Sequence, residues 1–219
     1  AEFQDPYEDG MTDLAADRIL GAGEPADLQL ERPRAIAVAA NGTLYVADTG
    51  NHRILHLSPE GEVLHSWGSF ADISQGDAPG GTFNEPWGIA LAPDGSVYVA
   101  DTWNHRVQHF SARGDFLGML GTFGTAESPT AFWGPRAVTV DEQGRVYVAD
   151  TGNKRIAVFD GRGQPVATFG SAGYLSGQLN EPVGLAISPA GVLLVDDTWN
   201  GRVQGFSETE PGFFEPVVE

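Results

Sequence analysis

The chain has 219 residues, of which 41% are hydrophobic, and its 29 Gly and 14 Pro recur at regular spacing, so a disordered chain is excluded. It contains no Cys and no apolar run long enough to cross a bilayer, so disulfides and direct membrane insertion are excluded as well. Thirty acidic residues against twelve Lys and Arg give a net charge of −18, which repels phosphate backbones and argues against a nucleic-acid partner.

Most of the chain repeats one unit. Residues 1–16 show no repeat and are predicted to form an N-terminal tail, while residues 17–206 are predicted to form one repeat domain. Within it, a hexapeptide of the form Asp-Thr-Gly/Trp-Asn-x-Arg occurs four times, each time fifteen residues after a proline. Residues 207–219 are predicted to be a C-terminal tail or a degenerate strand.

Each copy predicts short strands in a fixed order. The first strand follows the proline and is rich in small and β-branched residues, and the second contains Val-Tyr-Val or a close equivalent. The hexapeptide then turns the chain into a third strand, and a fourth follows in the first three copies, at 63–67, 116–120 and 166–169. Four antiparallel strands in about fifty residues, repeated, predict an all-β fold, a β-propeller of four-stranded blades.

The residues around the hexapeptide resemble a known family. The sequence Tyr-Val-Ala-Asp-Thr-Gly-Asn-His-Arg-Ile, preceded by Pro-x-Gly-Ile-Ala and followed by a Phe-x-x-x-Gly turn, is similar to the NHL repeat over residues 17–206. The resemblance implies a propeller with the hexapeptide turns and the loops between blades on one face, and six blades in a complete domain. The alternating Trp form is also similar to propeller domains attached to bacterial membrane proteins of glycosyltransferase type.

Two arrangements of the ring remain open. Residues 17–21 have the spacing to the next proline that fourth strands have in later copies, so they are predicted to be a strand with no blade before it. In one arrangement this strand completes the last blade and closes a four-bladed ring. In the other, residues 213–217 are a degenerate fourth strand and the chain is four blades of a larger ring. Such an open ring would leave edges unpaired and predicts self-association.

The hexapeptide is interpreted as a structural turn clamp, because it occurs in every copy whereas a catalytic group is needed once. Asn and Gly favour tight turns, the Asp accepts hydrogen bonds from turn amides, and the Arg can reach back to an Asp of its own or the next blade. The predicted clamp residues are Asp48, Arg53, Asp101, Arg106, Asp150, Arg155, Asp197 and Arg202.

Recognition is predicted at the loops between blades and at the third hexapeptide position. That position is Gly in copies one and three and Trp in copies two and four, and Trp is enriched at binding surfaces. The alternative is that each turn Trp only covers a neighbouring blade. The longest loop, residues 69–84, combines aromatic and acidic side chains. The candidate contacts with a ligand or partner are Trp87, Trp103, Trp133, Trp199, Phe70, Asp72 and Asp77.

These patterns favour a non-catalytic scaffold without a cofactor that binds a protein or a glycan. Metalloprotease, redox, nucleophile-elbow and P-loop motifs are all missing, and the His residues at 52 and 56 recur at 105 and 109 as repeat equivalents. The resemblance suggests a larger bacterial envelope protein and an extracellular or cell-envelope location.

The alternative to a scaffold is a metal-dependent hydrolase or lyase with Ca²⁺ or Zn²⁺ near the channel. Nucleic-acid binding would require a clustered basic face made from Arg34, Arg113, Arg136 and Arg162.

Overall fold

The computed structural model describes residues 28–217, so the predicted tail at 1–16 and the predicted strand at 17–21 lie outside the described residues. The described part forms four antiparallel sheets of four strands, and in each sheet the spatial order of the strands follows the chain. These sheets are the blades of a β-propeller, numbered one to four. Within residues 28–217 we find no helix with the length and apolar character needed to cross a membrane.

The strand bounds follow the repeat. Blade one contains β1 (Ala35–Val38), β2 (Leu44–Asp48), β3 (Arg53–Leu57) and β4 (Val63–Trp67). Blade two contains β5 (Pro86–Leu91), β6 (Val97–Asp101), β7 (Arg106–Phe110) and β8 (Phe116–Leu120). The loop after it holds a short parallel pair, β9 (Thr122–Phe123) and β10 (Ala131–Phe132). Blade three contains β11 (Ala137–Val140), β12 (Val146–Asp150), β13 (Arg155–Phe159) and β14 (Pro165–Phe169). Blade four contains β15 (Pro182–Ile187), β16 (Leu193–Asp197), β17 (Arg202–Glu210) and β18 (Phe213–Pro216).

The core lies between consecutive blades. Side chains alternate across a strand, so one set on each sheet faces the preceding blade and the other set faces the next. Between blades two and three, for example, Tyr98 and Val107 pack against Phe132, Val138 and Val148. The first strands of the four blades contact one another in sequence, which makes them the innermost strands of the propeller. Small and β-branched residues occupy these strands because the space near the axis is narrow.

The hexapeptide forms a single 3₁₀ turn between the second and third strands of every blade. The residue after the Asn is left-handed in each case, with φ between 53° and 62°, and it is His52, His105, Lys154 or Gly201. The left-handed residue of each turn is thus the one that follows the Asn.

Blade four contains its own fourth strand. β18 pairs antiparallel with β17, with Phe206 opposite Pro216 and Ser207 opposite Glu215. The place beside β17 that residues 17–21 would need in a closed four-bladed ring is therefore occupied by β18. Apolar side chains are exposed on the outer faces of the first and last blades, at Ile36 and Val38 and at Leu194 and Val203. The described residues form an open arc of four blades.

Candidate functional site

One face of the arc carries both the hexapeptide turns and the loops between blades, and we call it the hexapeptide face. In every blade a backbone N–H of the preceding loop donates to Oδ1 of the hexapeptide Asp, at 2.6 to 2.8 Å. The four donors are the backbone amides of Glu31, Asn84, Trp133 and Asn180. The loops are therefore fixed to the turns at their bases, and the expected placement of loops and turns on the same face is observed.

Each hexapeptide Asp also pairs with the Arg of its own copy. The Nε–Oδ2 distance is 2.7 or 2.8 Å in all four blades, and the Asp side chains are fully buried. The Arg continues to the loop, since Arg106 Nη2 donates to the carbonyl oxygen of Thr82 and Arg155 Nη2 to that of Ala131. Burial raises the pKa of Asp101, against the opposing effects of Arg106 and of the donated hydrogen bonds. The predicted clamp residues thus lie beneath the loops, with the four Asp side chains fully buried and the four Arg side chains between 3% and 31% exposed.

The alternation of Gly and Trp in the turns has a steric cause. The third hexapeptide residue donates its N–H to the carbonyl oxygen of the loop residue two places before the proline, in all four blades. A Cβ at Gly50 would lie 2.6 Å from Glu31 Cγ, and one at Gly152 would lie 2.7 Å from Trp133 Cγ. Where the turn instead supplies Trp103 or Trp199, the loop residue is Asn. A large side chain covers each turn, from the loop or from the turn but not from both.

The loop partner of this exchange was missed at the sequence level. Its signal is present, because Glu31, Asn84, Trp133 and Asn180 alternate between large and small in step with the turn position. Trp133, predicted from its loop position alone, is the blade-three counterpart of the turn Trp residues. Trp133 covers the neighbouring turn, which was the alternative to a role in recognition. About half of its surface nevertheless stays exposed.

Trp87 lies at the start of an innermost strand between two guanidinium groups. The Cζ atoms of Arg34 and Arg136 lie 3.7 and 4.2 Å from the centroid of its ring. Glu85 Oε2 accepts hydrogen bonds from Trp103 Nε1 at 3.1 Å and from Trp87 Nε1 at 3.5 Å. These five residues form a central cluster that joins blades one, two and three. Stacking of Arg on an indole stabilises both side chains by roughly 1 kcal/mol at a partly exposed site.

Aromatic side chains project from the rest of the hexapeptide face. Phe70 is exposed and its ring lies 4.8 Å from that of His52, while Phe123 repeats the arrangement on His105 at 4.6 Å. Phe123 was not among the predicted contacts, because the loop that carries it differs in length from the loop of Phe70. Trp199 in blade four is exposed as well.

The two acidic candidates of the longest loop differ in their surroundings. Asp72 caps a short turn, since Oδ1 accepts from the backbone N–H of Ser74 at 2.8 Å and Oδ2 accepts from Gln75 Nε2 at 3.1 Å. Hydrogen bonding by the Ser74 side chain, and then by its backbone N–H, lowers the pKa of Asp72. Asp77 is exposed in the same loop. Asp72 therefore shapes the loop, and only Asp77 presents an exposed carboxylate.

His52 and His105 lie at seams between blades. His52 Nδ1 accepts the backbone N–H of Glu85 at 3.1 Å, and His105 Nδ1 accepts that of Gly134 at 3.0 Å. Burial lowers the pKa of both rings. In the part of the chain that the structure describes, we find no group of three or more His, Cys, Asp or Glu side chains placed to hold a metal ion.

The arginines that a nucleic-acid surface would need do not share one face. Arg34 and Arg136 stand at the starts of innermost strands on the hexapeptide face. Arg113 and Arg162 stand in the turns between third and fourth strands, at the opposite ends of the blades.

Comparison with known proteins identifies the repeat. The sequence pattern described as the NHL repeat matches residues 30–57, 83–110, 132–159 and 179–206, which together are just over half of the chain. The chain belongs to the NHL-repeat family. Each match begins in the loop before an innermost strand and ends in the third strand, so the fourth strand of each blade lies outside the match.

The NHL relatives include both proteins named for the repeat and enzymes. The chain is 32% identical over 108 residues to human NHL repeat-containing protein 3, covering 48% of this chain and 29% of that protein. It is 40% identical over 90 residues to Drosophila melanogaster peptidyl-alpha-hydroxyglycine alpha-amidating lyase 1, covering 39% of this chain and 17% of that protein. A streptogramin B lyase structure superimposes with a TM-score of 0.62 and 15% identity, over 85% of this chain and 54% of that one. The chain thus spans less than a third of these two sequence relatives and about half of the lyase structure.

Proposed function

We propose that this NHL propeller segment is a non-catalytic recognition module that binds a protein or a glycan through its hexapeptide face. The observation that carries the proposal is the set of aromatic side chains exposed on that face above fixed turns. They are Phe70, Trp103, Phe123, Trp133 and Trp199. Aromatic rings on a rigid scaffold bury much area at little conformational cost, and they suit both sugar faces and apolar peptide side chains.

The hydrogen bonds that hold the exposed aromatic residues favour a preorganised binding surface. Trp103 is held by its hydrogen bond to Glu85. The loop residue at each of the three Trp turns donates its backbone N–H to a buried Asp, at Asn84, Trp133 and Asn180. A surface that is ordered before binding loses less entropy on association. The predicted contact Trp87 is half-buried in the central cluster, so we assign it a role in holding that cluster and assign the contacts to the exposed rings.

The proposal is tested by a glycan array and a peptide array probed with the labelled 219-residue chain, with hits measured by calorimetry. We expect Trp103→Ala and Trp199→Ala each to weaken a genuine hit by about tenfold or more, since exposed aromatic anchors contribute at least about 1.4 kcal/mol. Leu117→Ala is the control, because Leu117 is exposed on β8, away from this face. Hits that tolerate both Trp substitutions would contradict the proposal.

We further propose, on the resemblance to propellers of bacterial membrane proteins, that the segment belongs to a larger envelope protein. Expression of the full reading frame with an epitope tag, followed by cell fractionation, tests this context. Recovery in the cytosolic fraction would contradict it.

The lyase relatives favour one alternative, a metal-dependent lyase or hydrolase. Residues 28–217 supply no cluster that fits a metal, so no residue of this part is assigned to one. The assay is turnover of a peptidyl-α-hydroxyglycine and of a streptogramin B by the chain with added Zn²⁺ or Ca²⁺. Turnover that EDTA abolishes would establish the enzyme and overturn the non-catalytic module.

A further inference from the structure

Each seam between blades buries a tyrosine of a second strand, near the face opposite the hexapeptide turns. Tyr45 Oη donates to the carbonyl oxygen of Ala112 in the next blade at 3.0 Å, and Tyr147 Oη donates to Asp141 Oδ2 at 3.1 Å. Tyr98, the third of these tyrosines, is 6% exposed, and among residues 28–217 its hydroxyl has no hydrogen-bond partner. A buried hydroxyl without a partner is costly, so the seam between blades two and three lacks a group that the other two seams supply.

Tyr98 lines a cavity of about 210 Å³ between blades two and three, which we call the seam cavity. His109 lies on the same wall, and its ring stacks on that of Tyr98 at 4.1 Å. Asp94 of blade two and Glu142 of blade three also line the cavity, whereas no Lys or Arg among the described residues does. Neither carboxylate forms an ion pair with any of residues 28–217. The charge of the lining therefore complements a cation.

The charge states of these groups at neutral pH support this view. Hydrogen bonds from the Ser96 side chain, and then from its backbone N–H, lower the pKa of Asp94, so its carboxylate is ionised. Burial lowers the pKa of His109 against the opposing effect of Asp94, so the imidazole is uncharged. The chain as a whole has a net charge of −18, and a field of that sign draws cations to the surface.

The next seam shows which group fills the equivalent space. Between blades three and four, Arg145 Nε lies 2.6 Å from Asp141 Oδ2, and Arg145 Nη1 lies 2.6 Å from Glu208 Oε2. The repeat equivalents of these three residues are small and line the seam cavity, and they are Ala92, Ser96 and Gly161. The seam cavity thus occupies the place of an ion-paired guanidinium group.

We propose that the seam cavity binds a small organic cation through an alkylammonium or guanidinium group. The cation takes the place that Arg145 fills at the next seam, with Asp94, Glu142 and the Tyr98 hydroxyl oxygen as acceptors for its N–H groups. The cavity is smaller than the roughly 300 to 1,000 Å³ of pockets for drug-sized ligands, so it suits one such group on a short chain. It lies away from the hexapeptide face and is therefore separate from the aromatic recognition surface.

The experiment is a titration of the isotopically labelled 219-residue chain with agmatine, which carries a guanidinium and an ammonium group, at low ionic strength. Heteronuclear NMR should show saturable shifts of backbone amide signals within residues 92–98 and 142–144, around the seam cavity, and none within the blade-one equivalents at 39–45. Butyrate, an anion of similar length, should cause no shift. Absence of saturation up to about 20 mM agmatine, or equal shifts at 39–45, would overturn the proposal.

Tyr98→Phe and Tyr45→Phe are a matched pair that separates binding from folding. Tyr98→Phe should weaken agmatine binding by about 3- to 10-fold and leave the midpoint of urea unfolding unchanged or raised, because the lost hydroxyl has no partner in the free chain. Tyr45→Phe should lower that midpoint, because it loses the hydrogen bond to Ala112, and should leave binding unchanged. A Tyr98→Phe chain that binds agmatine as tightly as the parent chain would contradict the proposal.

Asp94→Asn and Asp77→Asn remove the same charge from opposite faces. Asp94→Asn should weaken agmatine binding by about threefold or more, whereas Asp77→Asn, in an exposed loop of the hexapeptide face, should leave it unchanged. Equal weakening by the two variants would indicate a general attraction of cations to an acidic chain and would rule out the site.

Rebuilding the ion-paired residues of the next seam should close the site. The variant Ala92→Asp/Ser96→Arg/Gly161→Glu places a guanidinium group of the chain in the seam cavity. Position 161 accepts a side chain, because the atom nearest to an added Cβ is the Gly144 carbonyl oxygen at 3.5 Å. We expect unchanged circular dichroism and loss of agmatine binding, and retained binding would argue against the site.

A short capped peptide of sequence Gly-Arg-Gly distinguishes the two sources of the cation. Binding comparable with that of agmatine would assign the cavity to an arginine side chain of a partner, and binding of agmatine alone would assign it to a free ligand.

Discussion

At the residue scale, the same ion pair has different surroundings in inner and outer blades. Arg106 and Arg155 in blades two and three are 3% and 5% exposed in their side chains, whereas Arg53 in blade one is 24% exposed. Arg106 also donates to carbonyl oxygens of the preceding loop. Removing one partner of a buried pair leaves the other charge without compensation, and water can relieve that cost only where it reaches the site.

We therefore expect Arg106→Met to lower the free energy of unfolding by about 3 to 5 kcal/mol. Arg53→Met, the matched change in blade one, should cost about 1 to 2 kcal/mol, because solvent reaches its buried Asp48 partner more easily. Urea unfolding followed by tryptophan fluorescence measures both. Equal losses would show that exposure of the Arg does not set the strength of the clamp.

A second prediction concerns the large side chain that covers each turn, which comes from the turn in some blades and from the loop in others. Gly152→Trp alone should destabilise the chain by about 1 to 3 kcal/mol, because Trp133 already fills the space above the turn. Gly152→Trp combined with Trp133→Asn recreates the pair found in blades two and four, so we expect most of that loss to be recovered. A double-mutant cycle in urea measures the coupling between the two positions. Additive losses would contradict the exchange.

At the element scale, the repeat predicts nearly all strands because each copy constrains the others. In the first three copies a glycine follows the hexapeptide Asp by thirteen and again by twenty residues, but the corresponding residues of the fourth copy are Glu210 and Val217. The sequence therefore left the fourth strand of blade four open. β17 runs on to Glu210 because β18 pairs with its extension. The stacking of Arg34 and Arg136 on Trp87 could not be predicted, because it joins residues from three copies and no single copy contains the pattern.

Two histidines that stack between the second and third strands of a blade make the free energy of unfolding depend on pH. His56 stacks on Tyr45 at 4.2 Å and His109 on Tyr98 at 4.1 Å. Burial lowers the pKa of both rings; nearby His65 lowers that of His56 further, and Asp94 opposes the effect at His109. The unfolded chain, with an imidazole pKa of about 6.5, then binds more protons than the folded chain. Stability is fully present above that pH and is lost as pH falls through it toward the folded-state pKa values.

Valine is the matched replacement, because Val158 occupies the equivalent position in blade three. We expect the free energy of unfolding to fall between about pH 7.5 and 5.5, and the fall to be smaller in the double variant His56→Val/His109→Val. Part of the slope should remain, since burial also lowers the pKa of His52 and His105. Urea titrations at a series of pH values measure it. An unchanged slope would assign the effect to other groups.

At the scale of the whole molecule, the arc behaves as a row of blades in which each contacts only its neighbours in sequence. Blades two and three have a packed neighbour on both sides. Blade four exposes Leu194 and Val203 on its free face, whereas blade one exposes only its innermost strand there, because Leu28 and Leu30 pack on Val46 and Leu57. The free energy of unfolding of such an array is close to the sum of the contributions of its blades and of the interfaces between them. An end blade has one interface fewer, so it opens more readily than a middle blade.

Hydrogen exchange of the chain should therefore show a gradient of amide protection along the arc. We expect amides of β6 and β12 to exchange about tenfold or more slowly than those of β2 and β16, because each inner blade is held by one additional seam. Equal protection of all four blades would show that the arc opens as one cooperative unit.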